Sequence, residues 1–329
     1  MTLHKDKPRL SANEVRNVLP HYALGEVRSV RELIAGASLA PKALIESDRG
    51  QFVLKRRAPG RDDPLLVALS HEVQLHLTMA GVPVTRLIGT RDENNSMLQT
   101  GYHVYEMTTL VKGLPFAGKP RRAEAAGATL ARAHAAWDDF TPTTAIPPTR
   151  EPTRPMIEAS LTGLESPSAK ALLETARGAD DALTGILRGA PPPEPVLIHG
   201  DIHPGNFMFN ESLVAAFFDF DGVQLGPRTH DVAQGAAQFS LTRSGPTPEH
   251  WLAHADLTLA APFLAAYLAE ATWETPPMEA WPFLMAESLV YEAVRTALPE
   301  PILRAVAKKA AWLVQNHEAA TETFARAVS

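Results

Sequence analysis

Over residues 27–107 the apolar positions come in short runs, alternating or continuous, separated by turn residues. Residues 27–34 alternate loosely, Gly36-Ala37-Ser38 marks a turn, and 42–46 runs back. Asp48-Arg49-Gly50 marks a second turn before Gln51-Phe52-Val53-Leu54-Lys55-Arg56. Runs of this kind are strand signals, because extended side chains alternate across a sheet and the turns between need residues that tolerate tight backbone geometry. They predict a three-stranded meander, with two more strands near 84–90 and 97–107 joined by Asp92-Glu93-Asn94-Asn95. In between the period changes. Leu66, Leu69, Val73, Leu77 and Ala80 recur at helical spacing, which predicts a helix over 64–80, ended by Gly81 and barred from continuing by Pro83.

Beyond 107 the pattern is mainly helical. Residues 122–137 are rich in alanine, with Leu130, Ala133, His134 and Trp137 along one face, and His134 reads as a packed, hydrogen-bonded core histidine. Prolines at 142, 147, 148, 152 and 155 predict an extended surface connection. A helical stretch over 157–187 follows, and Pro191-Pro192-Pro193-Glu194-Pro195 leads stiffly into the next apolar run. Three helices are expected near 248–272, 278–298 and 301–328. Most of their aromatics belong in the core, leaving one or two beside Glu287 or Glu292 to line a pocket.

Composition narrows the picture. A chain of 329 residues has room for two lobes around a cleft, and 45% hydrophobic with 21% charged residues is a soluble globular balance. No apolar run approaches a membrane span, and the N-terminal Lys5, Lys7 and Arg9 have no apolar core behind them, so neither membrane nor secretory signal is expected. The absence of cysteine excludes disulfides and thiolate metal sites and fits a cytoplasmic protein. A net charge of −6 argues against nucleic acid as the main partner. The acidic residues gather late, with 14 Asp and Glu against seven Lys and Arg over 207–329. That surplus is a solvated helix surface or an attraction for a cationic small molecule. No feature fixes an oligomeric state.

The chemistry concentrates in residues 196–221. Val196-Leu197-Ile198 and Phe207-Met208-Phe209 read as buried strands, as does 214–218, and the loops between them carry Asp201, Asn206 and Asp219. A strand, a loop bearing Asp and Asn, a hairpin and then a second Asp suit phosphoryl transfer. One carboxylate meets an acceptor hydroxyl, while an amide oxygen and the other carboxylate hold Mg²⁺ against the phosphates.

The spacing His-x-Asp-x-x-x-x-Asn followed by Asp-Phe matches the protein-kinase pattern, with Gly200 where those enzymes carry Arg. His199-Gly200-Asp201-Ile202-His203-Pro204-Gly205-Asn206, then Phe218-Asp219-Phe220-Asp221, closely resembles the aminoglycoside phosphotransferase/choline kinase superfamily, whose relatives include homoserine kinases. The resemblance covers roughly 28–237 and implies an α+β, bilobal, protein-kinase-like fold. The expected lobes are an antiparallel-sheet nucleotide lobe over 1–107 and a mainly helical catalytic and acceptor lobe over 108–329.

The resemblance also implies ATP and Mg²⁺ as cofactors, with a small-molecule alcohol as acceptor: an amino alcohol, a homoserine-like compound or an aminosugar. An antibiotic kinase, a protein Ser/Thr kinase and a nucleotide-binding pseudokinase are the alternatives within it. Asp201 is the expected catalytic residue, and Asn206 and Asp219 the expected metal ligands. Lys55, on the third strand, matches the phosphate-gripping lysine, with Glu72 in the following helix as its partner. Ser38 is expected on a nucleotide flap, and Glu106 and Met107 at the hinge, where backbone groups read the adenine edge. Strand alternation puts Lys55 and Arg57 on one face and Arg56 on the other, and leaves open which face meets the nucleotide. Asp231 opens the helix after the motif and His199 sits in the loop; both are expected to be structural. Asp221 is left between a second metal ligand and a water-mediated one.

Overall fold

The alternating run around Lys55 forms the middle strand of an antiparallel sheet. The structure is a computed structural model that describes residues 8–33, 40–149, 154–241 and 247–329. In the first lobe, α1 (Ala12–Val18) precedes β1 (Val27–Glu32), β2 (Lys42–Ser47) and β3 (Gly50–Arg56). Then come α2 (Pro64–Met79), β4 (Met97–Thr100) and β5 (His103–Thr109). The sheet order is β1-β2-β3-β5-β4. The expected lobe division between 107 and 108 falls within β5. α1 is not among the expected elements. Seven residues are too few to show a period, but Ser11 and Glu14 close a reciprocal capping box at its start.

Strand alternation sorts this sheet into two chemistries. Ala43 and Ile45 of β2, Phe52 and Leu54 of β3, and Tyr105 and Met107 of β5 pack with Val18, Tyr22 and Leu24 into one apolar cluster. The opposite parity carries Lys42, Lys55 and Glu106, which stand in one register row across three strands. Arg56, on the apolar side, turns to α1 and pairs with Glu14 at 2.8 Å. The Lys55–Arg57 face is thus the polar one.

The expected strand at 84–90 is instead an irregular extended segment. It makes single bridges, Val84 to Phe217, Leu87 to Thr108 and Thr90 to Tyr22, so its backbone is divided among three partners and builds no ladder.

The second lobe contains α3 (Pro120–Asp138), α4 (Arg154–Thr162), α5 (Pro167–Ile186), β6 (Val196–Ile198), β7 (Phe207–Asn210), β8 (Leu213–Phe217) and β9 (Gln224–Gly226). It continues with α6 (Arg228–Phe239), α7 (Leu257–Glu270), α8 (Trp281–Arg295), α9 (Glu300–Gln315) and α10 (His317–Val328). Two long helices of the sequence reading are thus broken. The first stops before Pro167, where Ser166 caps a new start by accepting from the Ala169 N–H. The second breaks at Asn316. The helix expected over 248–272 begins only at Leu257, capped by Asp256. Two small two-stranded sheets, β6–β9 and the hairpin β7–β8, complete this lobe, and single bridges from Val84 and Leu114 reach Phe217 and Phe209 of the hairpin. Among the described residues no helix is long and apolar enough to cross a membrane.

The helical core is close-packed where α3 crosses α7. A Cβ on Gly127 would lie 2.0 Å from the Phe263 carbonyl oxygen, which is backbone and cannot swing aside. Gly127→Ala is therefore expected to destabilise the protein by about 2 kcal/mol, overpacking outweighing the helix-propensity gain. Denaturant unfolding checks this; a neutral or stabilising result would mean the two helices separate freely.

Candidate active site

Four consecutive backbone N–H groups fix the loop after β6, and each has a defined acceptor. Those of His199 and Gly200 donate to the two carboxylate oxygens of Asp231 at 2.7 and 2.8 Å. That of Asp201 donates to His199 Nδ1 at 3.2 Å, and that of Ile202 to Gln234 Oε1 at 2.5 Å. Asp231 is fully buried in the first turn of α6 and also receives His134 Nε2 at 3.1 Å. Burial would raise its carboxyl; the hydrogen bond and charge of His134 overcome that and hold it below the usual range. His134 in turn meets Tyr267 at 2.8 Å. Asp231, His134 and His199 are thus framework, as the sequence indicated.

Gly200 explains itself here. Its φ is +72°, and an added Cβ would come within 2.6 Å of the Gly222 carbonyl. A Cβ on Gly222 would reciprocally lie 2.6 Å from the His199 carbonyl and 3.3 Å from Asp201 Cβ. Two glycine backbones therefore bring the Asp201 loop directly against the segment after Asp219. Asn206 ties the same parts together: its Nδ2 donates to the Asp201 carbonyl at 2.8 Å, and its own carbonyl accepts the Phe218 N–H at 3.1 Å. With Nδ2 committed, its Oδ1 is left as the acceptor. Asp219 sits in the left-handed region at φ 69°, ψ 61°, a conformation uncommon outside glycine and found where backbone geometry serves a site.

Lys55 reaches this segment from the sheet. Its Nζ lies 3.2 Å from Asp219, 2.8 Å from Asp221 and 3.4 Å from Glu106. Burial alone would lower the ammonium; these three carboxylates overcome it and hold Lys55 protonated above its usual range. Burial would likewise raise Asp219, but Lys55 and Lys42 hold it below the usual carboxylate range. Arg57, almost fully buried, pairs with Asp221 and with Glu106 at 2.5 Å. Asp221 is therefore engaged by two cations of the first lobe.

Glu72 is a correction. The sequence reading pairs it with Lys55, but its carboxylate accepts the Thr143 N–H at 2.7 Å, the Thr143 hydroxyl at 2.6 Å and the Thr144 hydroxyl at 2.8 Å. Its neighbour His71 faces the sheet instead, with Nε2 2.8 Å from Glu106. Glu106 holds the place expected of Glu72. Burial would raise its carboxyl, and Arg57, Lys55 and His71 together hold it well below the usual value. The hinge expectation shifts as well. Glu106 and Met107 are inside the β3–β5 ladder, and the Met107 carbonyl is taken by the Ile88 N–H at 2.8 Å. Neither therefore offers a free hinge backbone. Ser38 lies outside the described residues.

Between the lobes this polar cluster closes one end of a cavity of about 300 Å³ whose remaining walls include Leu33, Val53, Leu110, Val111, Met208 and Phe218. The Leu110 N–H is used by Gln51. An apolar slot ending in Lys42, Lys55 and Arg57 fits a planar base with an anionic tail. Among the described residues no three His, Asp or Glu side chains are grouped to hold a metal alone. The hard oxygens of Asn206 and Asp219 fit Mg²⁺, which takes few protein ligands and completes its shell with phosphate and water.

Asp201 faces the helical lobe. Arg295 Nη2 donates to its Oδ1 at 2.9 Å, and His203 Nε2 stands 3.9 Å from Oδ2. Arg295 closes a stripe on α8 that runs through Leu284, the adjacent Glu287 and Ser288, then Tyr291, each step about one helical turn. The first four line a second cavity of about 260 Å³ that also touches α4, α5 and His230. His230 and Tyr291 pack with ring centroids 4.8 Å apart. Burial pushes the Glu287 carboxyl up to about 7, opposed by Arg154.

A homoserine kinase of Rhodospirillum rubrum is 26% identical over 224 residues, 64% of this chain and 64% of that relative's length. Among solved structures, an aminopropanol kinase associated with a microcompartment superposes with a TM-score of 0.69 at 13% identity, covering 94% of this chain and 98% of that one. An amicoumacin kinase in complex with AMP-PNP, Ca²⁺ and Ami superposes at 0.64 and 14% identity, covering 95% and 93%. These likenesses show the fold. The profile of the phosphotransferase enzyme family matches residues 29–281, well over half of the chain, and the protein belongs to that family.

Proposed function

We propose that this protein transfers the γ-phosphate of MgATP to a hydroxyl of a small molecule. The observation that carries the reading is the joining of the Asp201 loop to the Asp219 segment through Gly200, Gly222 and Asn206, with Lys55 bonded to Asp219. The base would lie in the apolar slot, where the Val111 N–H follows the last sheet-bonded residue of the linker. Lys55, supported by Glu106 and flanked by Lys42 and Arg57, would neutralise the α- and β-phosphates. Asn206 Oδ1 and Asp219 would hold Mg²⁺, which when bound spreads the negative charge of the phosphates. Asp201 would orient the acceptor hydroxyl and take its proton. Alignment and charge neutralisation supply most of the rate in a loose phosphoryl-transfer transition state, and both need a framed loop like this one.

The cavity along α8 shares that helix with Arg295, which reaches Asp201, and would hold the acceptor. The named neighbours include kinases of homoserine, aminopropanol and amicoumacin, which supports a small polar alcohol. The test is ADP release from MgATP with pooled amino alcohols and homoserine, aminoglycosides, sugars and a generic protein, alongside thermal melts with and without MgATP. At about 100 Kd the nucleotide should add roughly 2.7 kcal/mol of stability. Acceptor-dependent ADP is the expected result. A melt shift without ADP from any pool would favour a nucleotide-binding regulator, and no shift would remove the nucleotide site.

A further inference from the structure

Arg295 stands beside Asp201 with one edge of its guanidinium fully bonded. Its Nε and Nη2 both donate to Glu292 Oε2, at 3.0 and 2.8 Å, and Nη2 also reaches Asp201. One edge of the guanidinium is thereby pinned by two carboxylates of the helical lobe. Among the described residues nothing occupies Nη1. The side chain is about a quarter exposed, so this remaining edge is in reach of a ligand. A guanidinium fixed in this way is a preorganised receptor for carboxylate oxygens.

We propose that Arg295 receives a carboxylate of the acceptor, so that the substrate class is hydroxy acids, hydroxy amino acids among them, rather than simple amino alcohols or aminosugars. The inference rests on the phosphotransfer reading above and deepens it. Nη1 and the Asp201-bound Nη2 share one carbon, so a hydroxyl on Asp201 and an anion on Nη1 would be neighbours that one short hydroxy acid can supply together. The nucleotide phosphates are the other source of anionic oxygen, but Lys42, Lys55 and Arg57 already serve their end of the cleft from the sheet. Arg295 stands on α8, whose same face lines the second cavity.

L-homoserine and 3-amino-1-propanol test this directly, because the second compound is the first without its carboxylate. Wild type is expected to favour homoserine. Arg295→Gln also removes the partner of Asp201, so kcat should fall alike for both acceptors, while KM should rise by about 10–100-fold for homoserine alone. Arg295→Lys should recover part of the loss. Arg295→Gln/Glu292→Gln, which leaves no unpaired carboxylate on Glu292, should behave like Arg295→Gln, and melts of each variant separate binding from folding. An equal change in KM with both acceptors would assign Arg295 to the phosphate or to Asp201 and overturn the proposal, as would a wild-type preference for aminopropanol or any pooled acceptor lacking a carboxylate. ADP from no acceptor at all would remove the phosphotransfer reading instead.

Discussion

Asp201→Asn is expected to lower kcat by about 10²–10⁴-fold, the range for losing a positioned general base, while leaving the Kd for MgATP within about threefold of wild type. The separation follows from the geometry. Asp201 touches Arg295 and lies near His203, on the helical-lobe side of the cleft, whereas Lys55, Asp219 and Asp221 form their own ion-pair cluster at the sheet. The side chain is also nearly a third exposed, so its pair with Arg295 is screened and contributes at most about 1 kcal/mol to stability. The variant should therefore melt close to wild type, and lost turnover is not lost folding. Single-turnover kinetics with an identified acceptor, together with nucleotide titration, read both quantities. Near-normal turnover would remove Asp201 from the catalytic role; a parallel loss of MgATP affinity would place it among the nucleotide contacts.

The elements that could be read from sequence were those whose pattern is local. Alternation through Val53-Leu54-Lys55-Arg56-Arg57 placed Lys55 and Arg57 together, and the structure keeps that pairing with Arg56 on the far side. The Asp201–Asn206 loop and Asp219 are separated by a single hairpin in the chain, so spacing alone marked them. What failed depended on which side of a helix turns inward. The α2 helix is buried on two sides, with Val67, Ser70, His71 and Gln74 interior as well as Leu69, Val73 and Leu77. With two buried stripes, periodicity does not say whether His71 or Glu72 faces the sheet.

Glu106 was recognised only for its backbone. Its side chain has the opposite parity to the core residues Tyr105 and Met107, which was legible, but its meeting with Lys55 depends on the β3–β5 register, which was not. Gly222 and Gln234 were invisible for the same reason. Each matters only because a loop distant in sequence is pressed against it. The α8 stripe is in between: Glu287 and Glu292 were noticed as pocket candidates, while Arg295, the residue that reaches Asp201, was not.

Glu106→Gln is expected to destabilise the protein by about 3 kcal/mol and to raise KM for ATP, whereas Glu72→Gln should cost less than about 1 kcal/mol and leave KM unchanged. Removing the Glu106 charge leaves Arg57 and Lys55, both nearly fully buried, short of one counter-charge, and breaking a buried pair from one side costs far more than the pair contributes over an apolar replacement. Glu72, in contrast, loses hydrogen bonds to Thr143 and Thr144 at the rim. The pH dependence carries its own sign. The folded-state carboxyl of Glu106 lies well below its ordinary 4.5, so its stabilisation is complete above the unfolded value and is lost as pH falls toward the folded one. The gap between wild type and Glu106→Gln should accordingly be full at pH 7 and narrow in acid. Denaturant unfolding across that range, with ATP kinetics on both variants, decides the matter. Equal effects on KM from the two substitutions would return the positioning of Lys55 to Glu72, and a gap that widened in acid would mean that Glu106 is protonated in the folded protein.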